Sequence, residues 1–123
     1  MRILVVEPGK APEIREIDGT LRTMQDIVGG TIQPIYPFDD LVALVCHDEG
    51  KLLHLSANRA LRDKCGEVYD IICGTFFLCG APPDSDHFDS LSEEQLEKFQ
   101  NLFQHPEIFL NINGRIAVFP CDK

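Results

Sequence analysis

The chain has no tryptophan and only two tyrosines, no closely spaced cysteine pair, no apolar run of membrane length, and few positive charges. Each absence closes a class of function. Eleven Lys and Arg stand against twenty Asp and Glu, a net charge of −9 over 123 residues. The basic footprint of a direct nucleic-acid binder is therefore missing, and an anionic membrane surface is disfavoured for the same reason. A helix that crosses a bilayer needs roughly 20 apolar residues in a row, and no segment approaches that. The opening MRILVVEPGK has one early cation, Arg2, and an apolar stretch centred on Ile3–Val6. It is too short for a secretion signal and reads as a strand, so a cytoplasmic protein is expected. The five cysteines (Cys46, Cys65, Cys73, Cys79, Cys121) are odd in number and include no C-x-x-C, which fits reduced thiols. Neither G-x-x-x-x-G-K nor G-x-G-x-x-G occurs, Ser56 and Ser90 lie in no nucleophile elbow, and no spacing pairs an acid with a base. The expectation is a protein that is not an enzyme.

What is present suffices for one real core: 44% hydrophobic residues and eight Phe, with no repeat or linker to divide the chain, so a single domain over 1–123 is expected. Ile3–Val6 is a buried strand ended by Pro8-Gly9, and Ile14–Ile17 pairs with it as a hairpin. Leu21, Met24, Ile27 and Val28 recur at helical spacing before Gly29-Gly30. Residues 31–36 alternate, but Pro34 confines them to a sheet edge. Residues 41–46 (LVALVC) read as a central strand. DEGK then makes a turn, KLLHL resumes as extended chain, and NRALRD reads as a short helical turn. Residues 68–79 form a further apolar run interrupted by Gly74. Ser90-Leu91-Ser92-Glu93 fits a capping box, and Leu96, Phe99, Leu102 and Phe103 form the stripe of the helix behind it. EIFLNI and RIAVFP flank Asn113-Gly114, the favoured type I′ pair. The fold class is α+β: a small, mostly antiparallel sheet with two main helices and a C-terminal hairpin.

DSDHFDSLSEEQLE, residues 84–97, carries six acids (Asp84, Asp86, Asp89, Glu93, Glu94, Glu97) and no Lys or Arg. A first helical turn accounts for Glu93 and Glu94, because the helix dipole favours anions there. Asp is an ordinary turn residue, which accounts for others. The remaining excess is uncompensated locally, and Asp39-Asp40 and Asp48-Glu49 add two acidic pairs. Gathered on one side, such carboxylates would resemble a phosphate backbone and compete with DNA for a basic cleft.

Two further groupings stand out. Cys46, His47 and Cys65 offer ligand types for a structural zinc, although no cofactor at all is the simpler expectation. Cys73 and Cys79 are six apart, a step that keeps two side chains on one strand face, so both fit core positions. From Lys51 to Lys64 there are four basic residues and one acid. Asn58, Arg59, Arg62 and Tyr69 could there form a pocket in which arginines grip a phosphate or carboxylate; salt bridging with the acidic surroundings is the alternative.

The segments MRILVVEPGK, LVCHDEGK and NRALRDKCGEVYDIICGTFFLCG resemble an uncharacterised family, a domain of unknown function found in small proteins of phages, prophages and conjugative elements of Gram-positive bacteria. The resemblance runs from about residue 2 to about residue 103 and is most specific over 58–77. It supplies no catalytic residues. It implies a mobile-element context in a host bacterial cell, where small acidic proteins often inhibit host defence. The leading expectation is therefore a non-enzymatic anti-defence protein, an anti-CRISPR that binds an effector nuclease through its acidic residues as a DNA mimic and blocks DNA loading. A nucleotide-signal binder using Asn58, Arg59, Arg62 and Tyr69 is the alternative, and a regulatory or scaffold protein of the element is a third.

Overall fold

A computed structural model of the chain describes residues 1–121. In chain order the elements are β1 (Arg2–Val6), β2 (Glu13–Glu16), α1 (Leu21–Val28), β3 (Ile32–Ile35), β4 (Val42–His47), β5 (Ala57–Arg62), β6 (Val68–Cys73), β7 (Phe76–Gly80), α2 (Glu93–Leu102), β8 (Glu107–Ile112) and β9 (Arg115–Pro120). The fold is α+β. Five strands form one sheet in the order β2-β1-β7-β4-β3, while β5–β6 and β8–β9 are separate two-stranded ribbons. All strand pairs among the described residues are antiparallel.

The three inner strands are almost wholly apolar because both of their faces are covered. On one face Ile3, Val5, Ala43, Val45, Phe77 and Cys79 pack under Met24 and Val28 of α1. On the other, Leu4, Val6, Val42, Leu44, Phe76 and Leu78 meet Leu61 and Ile72 of the β5–β6 ribbon and Leu96, Phe99 and Phe103 from α2 and its end. Each large side chain so buried contributes about 1.5–3 kcal/mol by leaving water. Pro34 lies on β3, the sheet edge, as a residue without an N–H must.

Caps fix both helices. The Thr20 hydroxyl accepts from Thr23 N–H, and Gly29, at φ 81°, ends α1 by donating to Gln25 O. The α2 cap is Ser92, whose box partner is Gln95, and not the expected Ser90 with Glu93. Ser90 is drawn off by the sheet, since its Oγ accepts from Arg2 N–H at 2.9 Å.

Three other expectations are corrected. NRALRD is strand β5, not a helical turn. KLLHL is not extended: residues 48–54 turn, with Leu53 N–H donating to Glu49 O and His54 N–H to Lys51 O. Cys73 and Cys79 do not share a strand, because the chain turns at Gly74 (φ 85°) and leaves β6 for β7 in a different sheet. A side chain at Gly74 would also press on Leu55. The C-terminal hairpin matches its reading, with Asn113 and Gly114 at φ 52° and 82°. Its outward face leaves Ile108, Leu110, Ile112 and Phe119 exposed. No helix among the described residues is long and apolar enough to cross a membrane.

Candidate functional site

Antiparallel pairing places the start of β1, the end of β7 and the start of β4 at one end of the sheet, with Val42 opposite Gly80. The loop from Ala81 to Ser92 hangs from this end. It is pinned by a bridge in which Gly80 and Asp89 exchange backbone hydrogen bonds of 2.7 and 2.9 Å. Only glycine allows so close an approach, because a Cβ at residue 80 would lie 2.7 Å from Ser90 O. Asp84, Asp86 and Asp89 on the loop, Glu93 and Glu94 at the α2 start, and Asp39 and Asp40 before β4 thereby come to the same end. Glu97 follows one turn along α2, exposed. Asp48 and Glu49 do not join them, for they follow β4 at the opposite end.

Cations distant in sequence neutralise part of this cluster. Arg2 donates from Nε to Glu16 Oε1 at 2.9 Å and from Nη1 to Glu93 Oε1 at 3.0 Å. Glu16 first, then Glu93, raise the Arg2 pKa above its ordinary value. Lys98 Nζ meets Asp40 Oδ1 at 2.6 Å, and Lys64 Nζ lies 4.0 Å from Asp39 Oδ2. Among the described residues, Asp84, Asp89, Glu94 and Glu97 have no ion-pair partner, and Asp86 has only His87 at 3.3 Å. The pairings of Arg2 with Glu93 and of Lys98 with Asp40 escaped the sequence reading, because the partners lie 91 and 58 residues apart.

The basic segment is arranged differently. Asn58 and Arg59 are each 1% exposed. Asn58 Nδ2 donates to Val6 O and Gly74 O at 2.8 and 2.9 Å. The Arg59 guanidinium spends its five N–H donors on oxygens: Nε on Phe103 O, Nη1 on Asn58 O and Oδ1, and Nη2 on Lys10 O and Phe103 O. It joins β5 to the end of α2 and to the loop after β1, and no donor remains to grip a phosphate. Burial lowers its pKa, and Glu107 opposes that shift. Arg59, Arg62 and Tyr69 do line one open cavity of about 380 Å³, together with Phe38, Leu61 and Phe103; Asn58 lies behind it.

Cys46 is buried, with Sγ 3.5 Å from Gln33 O, and Cys65 is exposed in the β5–β6 turn. Among the described residues no three His, Cys, Asp or Glu side chains are grouped to hold a metal ion. Burial raises the thiol pKa of Cys46 and Cys73 and pushes that of Cys79 up to about 12, which makes these thiols poor nucleophiles.

Residues 1–104 match the model of a family described as a domain of unknown function (DUF3846). The chain belongs to that family. Comparison with curated proteins and with solved structures finds no match. The DUF3846 match covers the five-stranded sheet, both helices and the β5–β6 ribbon, and it stops just before β8. The C-terminal hairpin is therefore outside the matched span. It still reaches back into the DUF3846 domain through Glu107, whose Oε1 accepts from Ala60 N–H at 2.8 Å and whose Oε2 accepts from Arg62 Nη2 at 2.7 Å.

Proposed function

We propose that the protein is a non-enzymatic interaction protein that binds a basic, nucleic-acid-handling protein through the acidic end of its sheet and keeps nucleic acid out of it. The observation that carries this reading is the convergence of Asp39, Asp40, Asp84, Asp86, Asp89, Glu93 and Glu94 on one end, where Asp84, Asp89 and Glu94 have no ion-pair partner among the described residues. Unpaired carboxylates on an exposed edge give a field that steers a positively charged cleft toward them. The resemblance to proteins of phages and conjugative elements points to host defence as the setting. The favoured partner is then a CRISPR effector nuclease in the cytoplasm of a Gram-positive host, with a restriction enzyme second.

The test is a DNA-binding and cleavage assay with a purified effector nuclease of that kind, run at rising salt. The wild-type chain should compete with target DNA and lose affinity as salt screens the contact. Reversal of Asp84, Asp86 and Glu94 to Lys should weaken inhibition by about tenfold or more and leave the thermal midpoint in place. A wild-type chain that does not compete, or a reversed variant that inhibits equally well, would defeat the reading.

A further inference from the structure

We propose that the open cavity between β5, the end of α2 and the start of β8 is a binding site for a small organic monoanion with an apolar body, such as an aromatic carboxylate. Its volume of about 380 Å³ is at the small end for ligand sites. Phe38, Leu61, Leu102, Phe103 and Pro120 make its walls largely apolar, which suits a ring or a branched chain more than a sugar.

Charge decides the other half of the ligand. The cavity is lined by two arginines, Arg59 and Arg62, by one histidine, His105, and by one carboxylate, Glu107. Arg62 and Glu107 pair at 2.7 Å. Arg59 is left as a buried cation that meets only carbonyl and amide oxygens, with no carboxylate within ion-pair distance among the described residues. A cation taken out of water is costly unless charge opposes it, and an anion in the cavity would supply that charge. In a chain of net charge −9 this local surplus is the exception. One surplus charge matches a monoanion better than a polyphosphate.

Arg62 is the group that would touch the anion. Glu107 is tied to β5 through the Ala60 amide and holds Arg62 by Nη2 alone. No described group takes the Arg62 Nε or Nη1 donors, so they remain for a carboxylate. The Tyr69 ring adds an aromatic edge at the rim.

The test is a ¹H–¹⁵N NMR titration of the full chain with phenylacetate and, separately, with its neutral isostere phenylacetamide. Phenylacetate should give saturable shifts confined to the amides of residues 60–62, 103–105 and 107, with a Kd of about 1 mM or tighter. Phenylacetamide should bind about tenfold more weakly. The double variant R62Q/E107Q replaces the ion pair by two neutral amides, isosteric at residue 107 and shorter at residue 62, and should lower phenylacetate affinity about tenfold. If it fails to fold, the acid–amide comparison on the wild type decides alone. The proposal is overturned by an absence of saturation up to about 10 mM phenylacetate, by shifts centred elsewhere, by equal binding of the amide, or by a folded double variant that binds as wild type does.

Discussion

At the sheet end where β1 and β4 begin, Arg2 stands in water between Glu16 and Glu93, with its side chain 44% exposed. At the opposite end Arg59 is 1% exposed and meets only oxygens of the chain itself. One guanidinium closes an acidic surface that is otherwise open to partners, while the other is a structural joint. Exposed ion pairs contribute little, because water and salt compete for both charges. A buried guanidinium depends on every bond it makes, and removing it leaves its acceptors unpaired. Net charge therefore says little about where charge matters in this fold: the exposed acids are free to serve binding, and the buried cation serves the fold.

The largest expected effect comes from breaking the buried side of this comparison. Arg59→Ala strands Phe103 O, Lys10 O and the Asn58 oxygens and opens a cavity, and should cost about 3–5 kcal/mol. Urea denaturation measures this; a loss below about 1 kcal/mol would mean that the guanidinium is not a joint. Asn58→Ala removes the donors of Val6 O and Gly74 O and should cost about 2–3 kcal/mol in the same assay.

The smallest effect is on the exposed side. The hydrogen bond from Lys10 is the largest influence on the Glu7 pKa and lowers it; burial opposes that next, and Arg15 adds to the lowering. A depressed folded-state value contributes stability above the ordinary carboxylate range, near pH 4.3. That contribution is lost as acidification carries the chain down through the lower folded value. Glu7→Gln should therefore be slightly less stable than wild type at pH 7, and the gap should close as the pH falls below the ordinary carboxylate range. A gap that persists unchanged in acid would show that packing, and not charge, distinguishes the two.

Strands β1 and β4 and the final hairpin were legible in the sequence because their signals are local: continuous apolar runs, and Asn113-Gly114 at a two-residue turn. NRALRD misled because Asn, Arg, Ala and Leu carry no strand signal of their own. Its extended form rests on partners 44 and 52 residues away, Phe103 O for Arg59 and Val6 O for Asn58. Ser90 and Ser92 satisfy the capping pattern equally well on paper, and the choice between them is made by Arg2, 88 positions from Ser90. The acids of the candidate interface could be named from the sequence. Their convergence on one sheet end, and the separation of Asp48 and Glu49 from the rest, follow from strand order, which no local pattern encodes. Three of the four residues suggested for a pocket do line one cavity, but Arg59 does so as a wall.

The attachment of the hairpin through Glu107 has a further consequence. Everything needed to cover both faces of the sheet lies within the first 104 residues, yet the cavity borrows Glu107 and Pro120 from beyond them. The lining is thus shared between two stretches of chain: Arg59, Arg62 and most of the apolar walls come from the matched span, and part of the rim comes from the hairpin. On the proposed reading, substitutions at Pro120 would re-cut the rim of the cavity while leaving the two buried faces of the sheet in place, because neither face draws on the hairpin.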